Sequence, residues 1–257
     1  MSFTVNSPNV KYSTEEITST YRYQTTIVEG KVATPLEEVF EFKTIRKVPK
    51  VGLMLVGWGG NNGSTVTAGI LANKHNITWQ TKEGVHKPDY FGSLTQASTV
   101  RLGLNAAGES VYIPFKEMLP MVEPNDLVLG GWDISSMNLG DALVRSKVLD
   151  FDLQKQLIPL MKPLVPLPSI YNENYIALNQ QDRADNVIVG NKKTQLDTIR
   201  RHIREFKATN AVDKVIVLWT ATTERFSSII PGVNDTAEAI LKAIEVKKFK
   251  EIQLNYF

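Results

Sequence analysis

From Val51 onward, apolar residues fall into short continuous runs separated by stretches with helical spacing. Val51-Gly-Leu-Met-Leu-Val56 ends in glycines, as expected of a parallel strand buried on both faces. Ser64 to Lys74 is predicted to follow as a helix, with Ala68, Gly69 and Ala72 small enough for close packing. Ile77 to Gln80 is the next expected strand, and Asp126-Leu-Val-Leu-Gly-Gly-Trp-Asp133 and Lys214-Val-Ile-Val-Leu-Trp-Thr220 are two more. Leu196, Ile199, Ile203 and Phe206 recur at three- and four-residue steps, which predicts a helix with one apolar stripe. Arg200, Arg201 and Arg204 lie off that stripe and read as a solvated face. Asp235 followed by Glu238 has the spacing of a capping box, opening a helix with Ile240, Leu241 and Ile244 on one side. Strand, helix, strand in this order predicts an α/β fold with a doubly wound, mostly parallel sheet.

Residues 1–50 have a different texture. Ser19 to Val32 is rich in Thr, Tyr and Val, with Glu29-Gly30 as a turn, which predicts a short pair of strands. Charged residues from Glu37 to Lys50 lead into the first apolar run. This β-rich arm is expected to pack on a partner subunit or a further domain.

The sharpest chemical feature is Gly57-Trp-Gly59-Gly60-Asn61-Asn62-Gly63-Ser64, which follows a predicted strand and opens a helix. Gly57 suits a tight turn, and Gly59 and Gly60 let the backbone approach a pyrophosphate whose charge faces unpaired helix amides. Ser64 is expected to add a hydroxyl donor or to cap the helix. Relative to G-x-G-x-x-G, Asn62 holds the third glycine position and Gly63 comes one residue later. No acid stands clearly at the end of the second expected strand, where only Glu83 is nearby. Asp133, at a strand's carboxyl end, suits either a ribose contact or a helix N-cap. Thr220-Ala221-Thr222-Thr223 offers room and hydroxyl donors beside a cofactor, or is an ordinary loop. No Gly-Lys-Ser/Thr follows the turn, which disfavours ATP hydrolysis.

Composition narrows the partners. Of 257 residues, 29 are basic and 27 acidic, a net charge of +2 that predicts neither nucleic acid nor an acidic membrane surface as partner. There is no cysteine, so a disulfide framework and a thiolate metal site are both excluded. No signal peptide or membrane span is evident, and a cytoplasmic setting is expected.

Several segments together resemble the inositol-3-phosphate (myo-inositol-1-phosphate) synthase family. They are Gly57 to Ser64, Ala72-Asn73-Lys74, Tyr90-Phe91-Gly92-Ser93-Leu94-Thr95-Gln96, Pro124-Asn125-Asp126, Gly131-Trp132-Asp133-Ile134, Ala184-Asp185-Asn186, Val217-Leu218-Trp219-Thr220 and Pro231 to Thr236. The pairing of Gly-Gly-Asn-Asn-Gly-Ser with a downstream Gly-Ser-Leu-Thr-Gln is the specific part. The resemblance implies a Rossmann-like domain and an NAD-dependent, redox-neutral conversion of glucose 6-phosphate to an inositol phosphate, by a homo-oligomer that is a tetramer when its second half is present. By position it implies Gly59, Gly60, Asn61 and Asn62 at the pyrophosphate of NAD and Asp133 at a ribose, and Gly57, Gly63 and Ser64 are counted with the cofactor-binding turn to which they belong. Ser169, Gln180 and Arg183 would lie at the adenosine end, and Thr220, Ala221 and Thr222 along the cofactor. Thr222 stands where the family usually carries Asn, which removes an amide donor.

The expected organisation is an arm (1–50), an NAD-binding Rossmann-like domain (51–245) and a divergent tail (246–257). The family's catalytic lysines and tetramer-forming sheet are expected to lie beyond this chain, through an incomplete gene model or a genuine short form, leaving no catalytic residue to name and no activity in the chain alone. Lys247, Lys248 and Lys250 read as a solvated tail. A conventional dehydrogenase would need a proton relay, and His75, His86 and His202 all read as surface residues. A non-catalytic NAD-binding or interaction module is the competing class.

Overall fold

The computed structural model describes residues 3–172, 178–221 and 228–245. The chain divides into two units, Met1–Ile170 with Asp185–Ala221, and Tyr171–Ala184 with Thr222–Phe257.

The first unit begins with β1 (Val10–Tyr12), β2 (Glu16–Glu29) and β3 (Val32–Ile45), an antiparallel sheet whose long hairpin turns at Gly30. The expected pair of strands is present but longer than the Thr- and Val-rich segment suggests. β3 runs through the charged residues after Glu37, because an exposed ribbon needs no apolar alternation to pair its backbone. Tyr21, Phe40 and Phe42 stack along it while remaining largely exposed.

β4 (Val51–Val56) then leads through the glycine turn into α1 (Asn61–Lys74). Two small hairpins follow, β5 (Trp79–Thr81) with β6 (Gly84–His86) and β7 (Thr99–Leu104) with β8 (Ser110–Pro114), and then the short α2 (Phe115–Met118). The chain re-enters the main sheet at β9 (Val128–Asp133) and continues through α3 (Leu139–Ser146), α4 (Phe151–Met161) and β10 (Leu167–Pro168). After the second unit's segment come α5 (Lys192–Thr209) and β11 (Lys214–Trp219). The expected strand at Ile77 to Gln80 is therefore corrected: its residues from Trp79 join a hairpin instead of the parallel sheet.

The four sheet strands are parallel, in the order β10-β9-β4-β11. The chain builds β4, β9 and β10 in one direction and then returns to place β11 on the far side of β4. That makes a topological switch point between β4 and β11, in a doubly wound α/β sheet as expected. On one face, Leu55 packs with Trp58, Ala68, Ala72, Leu139, Leu143, Leu157 and Met161, all buried, beneath α1, α3 and α4. On the other, the Phe206 ring of α5 sits over Gly52 and Gly130 on neighbouring strands. A Cβ at either would stand 2.5 or 2.6 Å from the ring, so the two glycines form its seat. Among the described residues β11 is an edge strand, with Ile216, Val217, Leu218 and Trp219 substantially exposed.

In the second unit, Leu178–Arg183 forms 3-10 turns and α6 spans Ala237–Glu245. The capping residue of α6 differs from the one expected. Thr236 Oγ1 accepts the Ala239 amide, while the Asp235 carboxylate accepts the Gly232 amide one turn earlier. Among the described residues no helix is long and apolar enough to cross a membrane.

Candidate functional site

The glycine turn is tied at its start to the carboxyl edge of the sheet. The Trp132 carbonyl, from β9, accepts the amides of Gly57 (2.8 Å) and Trp58 (2.9 Å). Gly57 takes φ +82°, a left-handed conformation that a side chain would strain. Trp58 is buried, and its indole Nε1 donates to Thr67 Oγ1 (2.9 Å), which donates in turn to the Gly63 carbonyl (2.9 Å). The turn's one aromatic residue is thus stapled into the helix it opens.

α1 starts at Asn61, three residues earlier than the sequence suggests. Gly60 is the N-cap and supplies no side-chain hydrogen bond. Ser64 is therefore not the cap: it is fully buried, and its hydroxyl donates to the carbonyls of Gly60 (2.8 Å) and Asn61 (3.2 Å). The first intrahelical bond runs from the Ser64 amide to Gly60 O, so the amides of Asn61, Asn62 and Gly63 have no intrahelical acceptor. Gly63 is where helix and turn touch, since a Cβ there would press on the Trp58 carbonyl and stand 2.7 Å from Gly57 O. It performs the close-packing role of the third glycine in a dinucleotide turn, one residue late because Gly60 lengthens the loop.

Asp133 ends β9 and is 3% exposed. Its Oδ1 accepts the Ser135 amide (3.0 Å), and Oδ2 lies 3.2 Å from where a Gly59 Cβ would stand. The N-cap alternative is excluded, because α3 is capped by Asn138, whose Oδ1 accepts the Asp141 amide (3.0 Å). β9 is the second strand of the parallel sheet in chain order, so Asp133 occupies the place usual for a ribose-binding acid. The two hairpins inserted after α1 displace it along the sequence. Glu83, in the turn between β5 and β6, is exposed and away from that sheet.

Beyond β9, Asp185 accepts hydrogen bonds from the Ser136 amide (2.7 Å) and hydroxyl (2.8 Å). Asn186 Nδ2 donates to the carbonyls of Asp133 (3.1 Å) and Pro166 (3.3 Å), stitching the ends of β9 and β10 together. Ser169 is buried just past β10, bridged to Val187. On the other wall, Thr220 donates its amide and hydroxyl to Val56 O (2.9 and 2.8 Å), and its carbonyl accepts Asn62 Nδ2 (3.4 Å). Ala221 abuts Gly57, whose Cβ would stand 2.8 Å from Ala221 Cα. Gln180 and Arg183 belong to the second unit, where Arg183 Nη1 donates to Gln180 Oε1 (2.8 Å). Thr222 lies outside the described residues.

Two functional-looking residues escaped the sequence reading. Arg145, on α3, donates from Nη2 to Gly59 O (2.6 Å). His202 is buried, contrary to expectation, and its Nδ1 accepts the Trp132 indole N–H (3.1 Å). Burial holds its imidazole below the ordinary 6.5, with Arg201 lowering it further and Glu205 opposing. His75 and His86 are exposed. A buried histidine was betrayed only by its place beside the apolar stripe of α5.

A parallel sheet whose first strand runs through a glycine turn into an uncapped helix, with an acid at the end of the second strand, defines a Rossmann-like α/β protein. Residues 51–253 match the NAD-binding family model described as myo-inositol-1-phosphate synthase. The chain belongs to that family. It is similar to inositol-3-phosphate synthase 1 of Oryza sativa subsp. japonica, 55% identical over 95% of this chain and 49% of that protein. It is 53% identical to inositol-3-phosphate synthase of Dictyostelium discoideum, over 95% of this chain and 48% of the relative. The crystal structure of inositol-3-phosphate synthase from Caenorhabditis elegans superposes with a TM-score of 0.87 at 47% identity, covering 95% of this chain and 49% of that one. The chain spans about half the length of the relatives it matches.

Proposed function

We propose that this chain holds the NAD of an inositol-3-phosphate synthase acting on glucose 6-phosphate. One observation carries the reading: an uncapped helix N-terminus, a turn whose Gly57 and Gly63 leave no room for a Cβ, and a buried carboxylate meet at the carboxyl edge of the parallel sheet. The names of the similar proteins support the reaction. In this reading the amides of Asn61, Asn62 and Gly63 face the pyrophosphate, where their dipoles and that of α1 favour negative charge. Asp133 accepts the ribose hydroxyls. Ser169 serves the adenosine end and Thr220 and Ala221 the opposite wall, while for Gln180, Arg183 and Thr222 a part in holding the cofactor rests on the family pattern alone. When bound, NAD would supply a reversible hydride acceptor, which is what makes the overall conversion redox-neutral. The protein's share here is orientation: Trp132 O anchors the turn, and Asn186 fixes the strand end that carries Asp133.

The proposed organisation is an arm over 1–50, the NAD-binding domain over 51–245 and a tail over 246–257. A cytoplasmic, homo-oligomeric enzyme fits the reading, and exposed apolar side chains on the β2–β3 ribbon and on β11 support an assembly surface. Enolisation needs positioned acid–base groups, and none in this segment is assigned that role. The 257 residues alone should therefore bind NAD without converting glucose 6-phosphate.

A melting experiment tests the cofactor. NAD at about one hundred times its Kd should stabilise the chain by about 2.7 kcal/mol, raising Tm by roughly 5–10 °C. An unchanged Tm at a few millimolar NAD would overturn the cofactor assignment. Inositol phosphate formed by the chain alone would overturn the division of labour.

A further inference from the structure

We propose that Arg145 is a positioning residue for the dinucleotide: it locks the Gly59–Gly60 peptide so that the amides after it stay turned toward the pyrophosphate. The inference rests on the NAD reading above.

A trans peptide points its C=O and N–H in opposite directions. Here the Gly59 carbonyl accepts Arg145 Nη2 at 2.6 Å, while the Gly60 N–H donates to Gly57 O at 2.9 Å. The plane is thus held at both ends, by a charged donor outside the loop and by a carbonyl inside it. It joins two glycines, the pair of residues best able to let a peptide rotate. A rotated plane would move the Gly60 backbone and, with it, the first amides of α1. The Asp133 carboxylate lies beside Gly59, and a charged donor holds the Gly59 carbonyl more firmly than a neutral one would.

The clamp has a firm base. Arg145 is half-buried in the last turn of α3, a helix capped by Asn138 and seated in the core through Leu139, Ala142 and Leu143, all fully buried. A guanidinium is planar, always charged and able to present two donors in one direction, so lysine is a poor substitute at such a site.

The test uses Arg145→Met, which keeps an apolar stem, and Arg145→Lys, which keeps the charge. NAD is titrated calorimetrically into the wild-type chain and both variants, and amide hydrogen exchange is followed without NAD. Arg145→Met is expected to weaken NAD binding about tenfold, the scale of one lost charged hydrogen bond. Arg145→Lys should weaken it several-fold. The Gly60 amide should lose exchange protection in Arg145→Met while the amides of α3 and β9 keep theirs, a pattern that a merely structural role would not produce. Wild-type NAD affinity in Arg145→Met, or uniform loss of protection across these elements, would overturn the proposal. If Arg145→Met does not fold, Arg145→Lys decides: several-fold weaker binding supports the clamp, and wild-type affinity refutes it. If the wild-type chain itself fails to bind NAD, the cofactor reading falls and this inference with it. If it binds and the variants bind equally well, only this inference falls.

Discussion

Gly63→Ala and Gly69→Ala put the same methyl group on the same helix with opposite expected consequences. Gly69 is exposed, and a Cβ there meets nothing within 4 Å. Replacing glycine by alanine in an open helix interior is worth about 1 kcal/mol, so Gly69→Ala should raise Tm by roughly 2–4 °C for a chain of this size. Gly63 receives the same propensity gain, but its methyl would overlap the Trp58 carbonyl and stand 2.7 Å from Gly57 O. Neither atom can rotate away as a side chain would. Gly57 O holds the Gly60 amide, and the Trp58 amide is fixed to Trp132 O. Overpacking costs about 1–3 kcal/mol where side chains can adjust, and immobile backbone puts this site at or above the upper end. After the helix gain, a net loss of about 2 kcal/mol remains, or roughly 4–8 °C in Tm. Thermal melts, with urea titrations to check that the m-value is unchanged, measure both variants. A Gly63→Ala chain as stable as Gly69→Ala would refute the close approach of helix to turn and the role of Gly63 as the packing glycine.

Two other outcomes are open to measurement. Asp133→Asn keeps an acceptor for the Ser135 amide, so the fold should tolerate it while NAD affinity falls about tenfold for a lost charged hydrogen bond; unchanged affinity would remove Asp133 from the ribose site. The Trp132–His202 bond should make stability depend on pH. The folded state holds the imidazole below its unfolded 6.5, so the unfolded chain binds more protons in the window between the two values. Stability is then fully present above about pH 6.5 and declines as pH falls toward the folded value. His202→Phe should flatten that part of the profile, and an unaltered slope in the variant would exclude His202 as its source.

Much of the sheet was legible because buried parallel strands announce themselves as unbroken apolar runs. Val51–Val56 has the predicted bounds, and Lys214–Trp219 is one residue shorter than its run. The run at Ile77 misled because a short apolar stretch carries no information about its partner. That error hid the ordinal place of Asp133, which is the acid at the end of the second strand of the parallel sheet. The start of α1 was missed because a glycine cap has no side chain to signal it, whereas Ser64 has the right chemistry in the wrong turn. Arg145 was invisible for a different reason. Its partner is a carbonyl far along the chain, and no local pattern marks a lone arginine that reaches one.

The switch point also sets an order of events in folding. Val51 pairs with Lys214, and Val56 with Trp219, so β4 waits for a large part of the chain before its second neighbour exists. Such distant pairing delays the reward for closing the intervening loop. On the ribosome, β4, the glycine turn and α1 emerge early, and β9 can give them one wall. The other wall arrives only with β11, so the crevice is completed well after its first wall has formed. Arrested nascent chains ending before Lys214 should capture no dinucleotide, and those carrying Ala221 clear of the exit tunnel should begin to.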